Sequence, residues 1–284
     1  MRGVVVLQGV TFAYPGARVP ALSGVTLELR PGEVTWIYGP LGAGASTLLM
    51  AIAGLAPRHT GGTLEGPVSV SGHDPATEYR NPELLGRVAY VTASPRVQLS
   101  EVAATVFEEV AFAPANLGWP RERIGRSVAA AMDRLGVGHL ALRAPTTLSG
   151  GEMQRVVIAS MLALDPAVWL LDEPSTALDR AGRVAVGELM REAAAGGATV
   201  VVATEDADGM LEVADRLVVL SGGRVALDGS PKQILRGEEL WGTGVGSTSV
   251  ATLAHRAHAL NGAAPGLQPP YPLDVDEALV RWTR

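Results

Sequence analysis

Apolar residues follow two rhythms along this chain. Residues 3–12 alternate closely enough to predict a half-covered strand ending in the turn "YPGAR", and "VTLEL" at 25–29 predicts a second strand stopped by Pro31-Gly32. Elsewhere the apolar positions run on without a break. "EVTWIY" at 33–38, "AVWLLDEP" at 167–174 and "ATVVVATED" at 198–206 read as strands covered on both faces, and "RLVVLSGGRVALDG" at 216–229 as a hairpin turning on Ser221-Gly222-Gly223. Helical spacing fills the intervals. It predicts a helix over "STLLMAIAGL", starting near Ser46 and ending near Pro57, and a mostly helical stretch from about 98 to 165 built on "EVAATVFEEVAFAPANLG", "RERIGRSVAAAMDRLGV" and "GEMQRVVIASMLAL". Buried strands separated by helices predict an α/β fold with a parallel sheet covered on both sides. Beyond Arg236 the pattern changes: "SVATLAHRAHAL" and "DVDEALVRW" predict two short helices around the linker "NGAAPGLQPPYPL", a small C-terminal appendage.

Composition narrows the class. A chain of 284 residues, 47% of them hydrophobic, is large enough for one substantial domain with or without an appendage. Its apolar stretches are interrupted or shorter than the roughly 20 residues that cross a bilayer, so no span is expected. The short apolar run before Gln8 lacks a cleavage pattern, so no secretory signal is expected either. With no cysteine, disulfides and thiolate metal sites are excluded, which fits a cytosolic setting. The net charge of −6 argues against a general electrostatic grip on nucleic acid, and no nucleic-acid partner is expected. Lys232 is the only lysine.

That last fact matters at residues 39–47, "GPLGAGAST". The stretch matches the phosphate-binding pattern G-x-x-x-x-G-K-[ST] except that Ala45 stands where lysine belongs. Strand before, helix after, is the context such a loop needs. Gly39, Gly42 and Gly44, with Pro40, Leu41 and Ala43 between them, would turn backbone N–H groups toward a phosphate, and the helix start at Ser46 and Thr47 would add its positive dipole end.

Two more stretches follow in a telling order: "LSGGEMQR" at 148–155 and "VWLLDEPSTALD" at 168–179. Together with the loop they resemble the Walker A, signature, Walker B and D-loop motifs of the ATP-binding cassette (ABC) ATPases, over about residues 3–230. The resemblance implies a cassette over 1–235, comprising a RecA-like parallel sheet core, an antiparallel β subdomain and a helical subdomain at about 98–165, with the appendage at 236–284. It implies ATP and magnesium as cofactors. Ser46 and Asp172 would hold the metal, Glu173 would orient the attacking water, and Tyr14 in "FAYPG" would stack on adenine unless it is an ordinary turn tyrosine. In this family two cassettes pack head to tail. Leu148, Ser149, Gly150, Gly151 and Glu152 would therefore address the γ-phosphate in a partner's site, aided by the helix that follows, and Asp179 would cross the same interface.

Against that pattern the chain departs at three places, all in its own site. Ala45 replaces the lysine that neutralises phosphates; Ala93, in "VAYVTASPRVQLS", replaces the Q-loop glutamine; Glu205, in "VVVATEDAD", replaces the H-loop histidine. Removing one preorganised donor costs on the order of 10² to 10³ in rate. Here several are gone and a carboxylate is added beside a polyanion. The own site is expected to hydrolyse ATP negligibly, while "LSGGE" and "STALD" stay fit to serve a competent partner. Ser46, Asp172, Glu173 and Tyr14 are unchanged, either because nucleotide still binds as a structural wedge or because packing retains them. An engineered inactivation would account for Ala45 but not for three separate losses.

Within the family, "GVTFAYPGARVPALSGVTLEL", "SPRVQLS", "EEVAFAPANLG" and the closing "LAHRAHAL…PYPLDVDEAL" are similar to the ATPase components of energy-coupling factor (ECF) transporters. That implies a second, distinct ATPase chain, a transmembrane coupling subunit received by a groove from about Ser94 to Ala113, a separate substrate-capturing membrane subunit, and a place on the inner face of the cell membrane. A soluble ABC protein acting on ribosomes or DNA is the rival class, disfavoured by the single cassette, the lack of an inserted coiled coil and the acidic charge. A regulatory pseudo-ATPase is another. His255 and His258 sit three apart on a predicted helix, where a solvated face is expected rather than a metal site. Residues 42–47 do not make a dinucleotide fingerprint, since the third glycine and the ribose-binding acid are missing.

Overall fold

In the computed structural model, which describes residues 3–81, 84–261 and 268–282, two sheets share the chain. The strands are β1 (Val5–Ala13), β2 (Leu22–Leu29), β3 (Val34–Tyr38), β4 (Thr63–Glu65), β5 (Val68–Val70), β6 (Val88–Val91), β7 (Val168–Asp172), β8 (Thr199–Ala203), β9 (Arg216–Ser221) and β10 (Arg224–Gly229). The helices are α1 (Ala45–Ile52), α2 (Val106–Asn116), α3 (Arg121–Arg134), α4 (Gly150–Leu162), α5 (Arg180–Ala195), α6 (Ala207–Met210), α7 (Pro231–Arg236), α8 (Ser249–Asn261) and α9 (Val275–Trp282).

The larger sheet has the order β10-β9-β3-β8-β7-β6, parallel except for β10. Its inner strands β3, β7 and β8 are buried at every residue, as their unbroken apolar runs require. Because side chains alternate along a strand, β3 feeds two cores at once. Val34, Trp36 and Tyr38 enter a cluster with α3, α4 and α5, while Ile37 enters another with α1 and the smaller sheet. That smaller sheet is antiparallel, β2-β1-β4 with β5 also on β1, and β1 shows the expected alternation: Val5, Leu7, Val10 and Phe12 point inward. The expected α/β architecture is therefore present, including the mixed sheets.

Helices α2, α3 and α4 pack on one another within the stretch expected to be helical. Two local expectations need correcting. Helix α1 starts at Ala45 and stops at Ile52 rather than near Pro57, because Gly54 takes φ +69° with its Cα so close to Pro75 that a Cβ would meet the Pro75 carbonyl oxygen at 2.2 Å. Helix α5 lay outside every predicted element. Its apolar face, Val186, Leu189, Met190 and Ala194, has helical spacing, but internal Gly182 and Gly187 weaken the signal.

Residues past Arg236 do not stand apart from the cassette. Leu240, Val245, Ala251, Tyr271 and Leu273 belong to the same buried cluster as Trp36, and the Tyr38 hydroxyl donates to the Gly246 carbonyl at 3.2 Å. Of the predicted linker, residues 262–267 lie outside the described residues.

Trp36 joins the sheet to the loop beyond β8 through a fully buried Nε1–H to the Thr204 carbonyl, 2.8 Å. Trp36→Phe leaves that carbonyl without its partner and a void beside it, and chemical denaturation is expected to show a loss of about 2 kcal/mol.

Candidate functional site

Parallel strands deliver their C-terminal ends to one edge, and here three of those ends carry the predicted chemistry. From β3 the chain enters the glycine loop; from β7 it presents Asp172 and Glu173; from β8 it presents Thr204 and Glu205. The loop's shape depends on close backbone approach. A Cβ on Gly39 would lie 2.6 Å from the Leu220 carbonyl oxygen, and one on Gly44, at φ +104°, 2.4 Å from that of Ala21. At the start of α1 the first N–H groups have no partner within the helix, so they form an anion-accepting end.

These segments enclose a cavity of about 370 Å³ walled by Gly39, Pro40, Leu41, Gly42, Ala43, Gly44, Ala45, Ser46 and Thr47, with Asp172, Glu173 and Glu205 opposite and Tyr14 and Ala93 completing it. Every residue expected in the own site is thus brought together. No lysine or arginine lines the cavity among the described residues; three carboxylates do.

The acids differ in how they are held. Asp172 is 5% exposed, and burial pushes its carboxyl above the usual range, opposed by hydrogen bonds from Ser46 and from Tyr90 at 3.4 Å. Glu173 sits at φ +47°, unusual for a side chain of its kind, and is fixed from three directions. Thr204 Oγ1 at 3.0 Å and Thr176 Oγ1 at 2.8 Å donate to one carboxylate oxygen, and the Glu205 N–H donates to the other at 3.0 Å. Tyr38, one residue before the loop, is pushed up to about 12 by burial, then by the negative charges of Glu205 and Asp208. Ser46 and Asp172 already meet, and their hard oxygens suit magnesium, which binds through one or two carboxylates plus phosphate. Tyr14 touches the loop through its hydroxyl, 3.0 Å from Thr47 Oγ1, with the Phe12 ring edge-on at 4.9 Å.

The signature residues lie elsewhere. Leu148, Ser149, Gly150, Gly151, Glu152 and Asp179 are absent from the cavity wall. Ser149 caps α4 in a reciprocal box: its hydroxyl accepts from the Glu152 N–H, and the Glu152 carboxylate accepts from the Ser149 N–H and hydroxyl, both at 2.8 Å. Asp179 caps α5, accepting from the Gly182 N–H at 2.8 Å.

Some contributors escaped the sequence reading. Gln98 ties the loop carrying Ala93, accepting from the Thr92 N–H at 2.9 Å and donating to the Tyr90 carbonyl at 2.6 Å. No local pattern announces Gln98, Tyr90, Thr176 or Thr204. The Ser149 box was legible as S-x-x-E before an apolar run. The solvated face expected for His255 is corrected: its ring stacks on Trp241 at 3.9 Å and 6°.

The motif order and the cavity coincide with a known family, for the ABC transporter family model matches residues 22–176, more than half of the chain. The chain belongs to the ABC transporter family. A nickel import ATP-binding protein of Rhodobacter capsulatus is 41% identical over 81% of this chain and 90% of its own length. An energy-coupling factor transporter ATP-binding protein of Methanospirillum hungatei is 35% identical over 84% of this chain and 58% of its own. The chain spans 38% of the length of another relative, a putative ABC transporter ATP-binding protein of Methanosarcina acetivorans that is 39% identical. Among solved structures, cbiO1 from Clostridium perfringens, part of the ABC transporter complex cbiONQ, superposes with a TM-score of 0.70 at 26% identity, covering 91% of this chain and 96% of that one. The fold is thus that of a P-loop ABC cassette. No helix among the described residues is long and apolar enough to cross a membrane.

Hydrogen bonds from the Ser149 backbone and then its hydroxyl hold the Glu152 carboxyl below its ordinary range. A lowered folded-state value means the cap stabilises above the unfolded-state value and is lost as pH falls through the lowered one. NMR titration of Glu152 is expected to show a depressed midpoint that returns toward normal in Ser149→Ala.

Proposed function

We propose that this ABC cassette is an ATP-binding subunit of an ECF-type importer that pairs with a second ATPase chain, lending its signature to the partner's site while its own site hydrolyses ATP negligibly. The observation that carries this reading is the cavity wall, which offers a phosphate backbone donors and three carboxylates and, among the described residues, no lysine or arginine. In the reading, Tyr14 and residues 39–47 bind the nucleotide, Ser46 and Asp172 hold magnesium, and Glu173 is the base beside the degenerate positions Ala93 and Glu205. Magnesium would supply the positive charge that the wall lacks. Leu148–Glu152 and Asp179, outside the cavity and well capped, serve the partner's nucleotide.

The nickel-import relative favours uptake of a metal ion, a vitamin being the other substrate class that the resemblance to energy-coupling ATPases implies, and the chain is read as a cassette over 1–235 with a C-terminal appendage at 236–284. A transmembrane coupling subunit would dock over residues 94–113. In support, Val97, Val102, Phe107 and Phe112 are exposed there, beside a cavity of about 490 Å³ that includes Arg96, Leu99 and Glu109. A separate membrane subunit would capture the substrate, and the whole would sit on the cytoplasmic face of the membrane.

Gly150 offers a selective test, since a Cβ there meets nothing closer than Ala177 at 3.9 Å and an acid in a helix's first turn is favourable. Turnover is expected to be negligible for the chain alone and robust with its partner. In the pair, Gly150→Asp is expected to cut the rate by a factor on the order of 10² or more. Turnover of the pair unaffected by Gly150→Asp contradicts the lent signature. The triple variant Ala45→Lys, Ala93→Gln, Glu205→His is expected to raise turnover at the own site.

A further inference from the structure

We infer that residues 243–249, a strap between the cassette and α8, position the nucleotide pocket from behind, with Tyr38 and Ser249 as its positioning residues; this rests on the pocket binding nucleotide.

The strap touches the glycine loop, which lines the cavity, and two pieces of chain that adjoin cavity-lining residues. At the glycine loop, Gly244 sits beside Pro40, where a Cβ would make only ordinary contact with the proline ring at 3.8 Å, and the Gly246 carbonyl accepts from the Tyr38 hydroxyl at 3.2 Å. At the end of β9, Ser221 Oγ donates to the Thr243 carbonyl at 3.1 Å, and this strand end is the one whose Leu220 carbonyl crowds Gly39. Beyond β8, the Ser249 N–H donates to the Asp208 carboxylate at 3.1 Å and its hydroxyl donates to the same group, three residues past Glu205. Val245, Ser247 and Thr248 are buried, so the strap is packed rather than draped.

Without a lysine to draw phosphate in, binding depends on backbone N–H groups already pointing the right way, and the strap bonds Tyr38, the residue before Gly39, and lies beside Pro40. Coupling of this kind is reciprocal: if the docked strap favours a loop fit for nucleotide, nucleotide must favour the docked strap.

The experiment is hydrogen exchange of the full chain with and without Mg·ATP. Slower exchange in loop 39–47 together with residues 243–249 is expected. Protection of the loop alone overturns the strap's role while leaving nucleotide binding intact; protection of neither overturns nucleotide binding and the strap with it. The double variant Tyr38→Phe/Ser249→Ala loosens the strap without changing charge. Its Mg·ATP affinity is expected to fall about fivefold, with Ser249→Thr restoring most of the Ser249 share. An unchanged affinity overturns the proposal, as does a loss of affinity explained by slackened exchange throughout the sheet.

Discussion

Everything at the candidate site is governed by a charge imbalance. A loop shaped to accept phosphate, with Gly39 and Gly44 required by close backbone approach, faces Asp172, Glu173 and Glu205 and, among the described residues, no positive side chain in its wall. Backbone dipoles and a helix N-terminus attract an anion, but each is a partial charge, whereas the opposing acids are whole ones. The shape of the site and its electrostatics therefore point in opposite directions. In the proposed reading, the fold keeps a cavity for nucleotide and withholds much of what would drive chemistry in it.

The capped signature shows the contrast. Ser149 and Glu152 satisfy each other's backbone, Arg143 adds a contact to Glu152 at 3.2 Å, and the helix behind them is buried along Val156, Val157 and Ile158. Nothing there is frayed. The cavity wall carries carboxylates and, among the described residues, no lysine or arginine, while the signature is held by the ordinary devices of helix capping; in the proposed reading this suits a chain whose contribution is made to a neighbour's site.

How far this was readable in advance depended on whether the signal was local. The buried strands β3, β7 and β8 announced themselves as unbroken apolar runs, and the loop, its missing lysine and the signature are contiguous words. Helix α5 was missed because two glycines interrupt its apolar face. Gln98 was missed because its two hydrogen bonds go to nearby backbone and follow no motif, Thr204 because its hydroxyl meets Glu173 only through the fold, and Tyr90 reaches Asp172 only because β6 and β7 pair in that register. The C-terminal segment was read as an appendage from its linker composition. Its hydrogen bond with Tyr38 and the burial of Leu240, Val245 and Tyr271 in the main cluster arise from tertiary packing that no linear pattern reports.

The imbalance is tested most directly by equilibrium binding of ATP to the isolated chain in the presence of a chelator and then of magnesium. The account predicts no measurable metal-free binding, binding that appears with magnesium, and recovery of metal-free binding in Ala45→Lys. Tight ATP binding by the unaltered chain in chelator would contradict it.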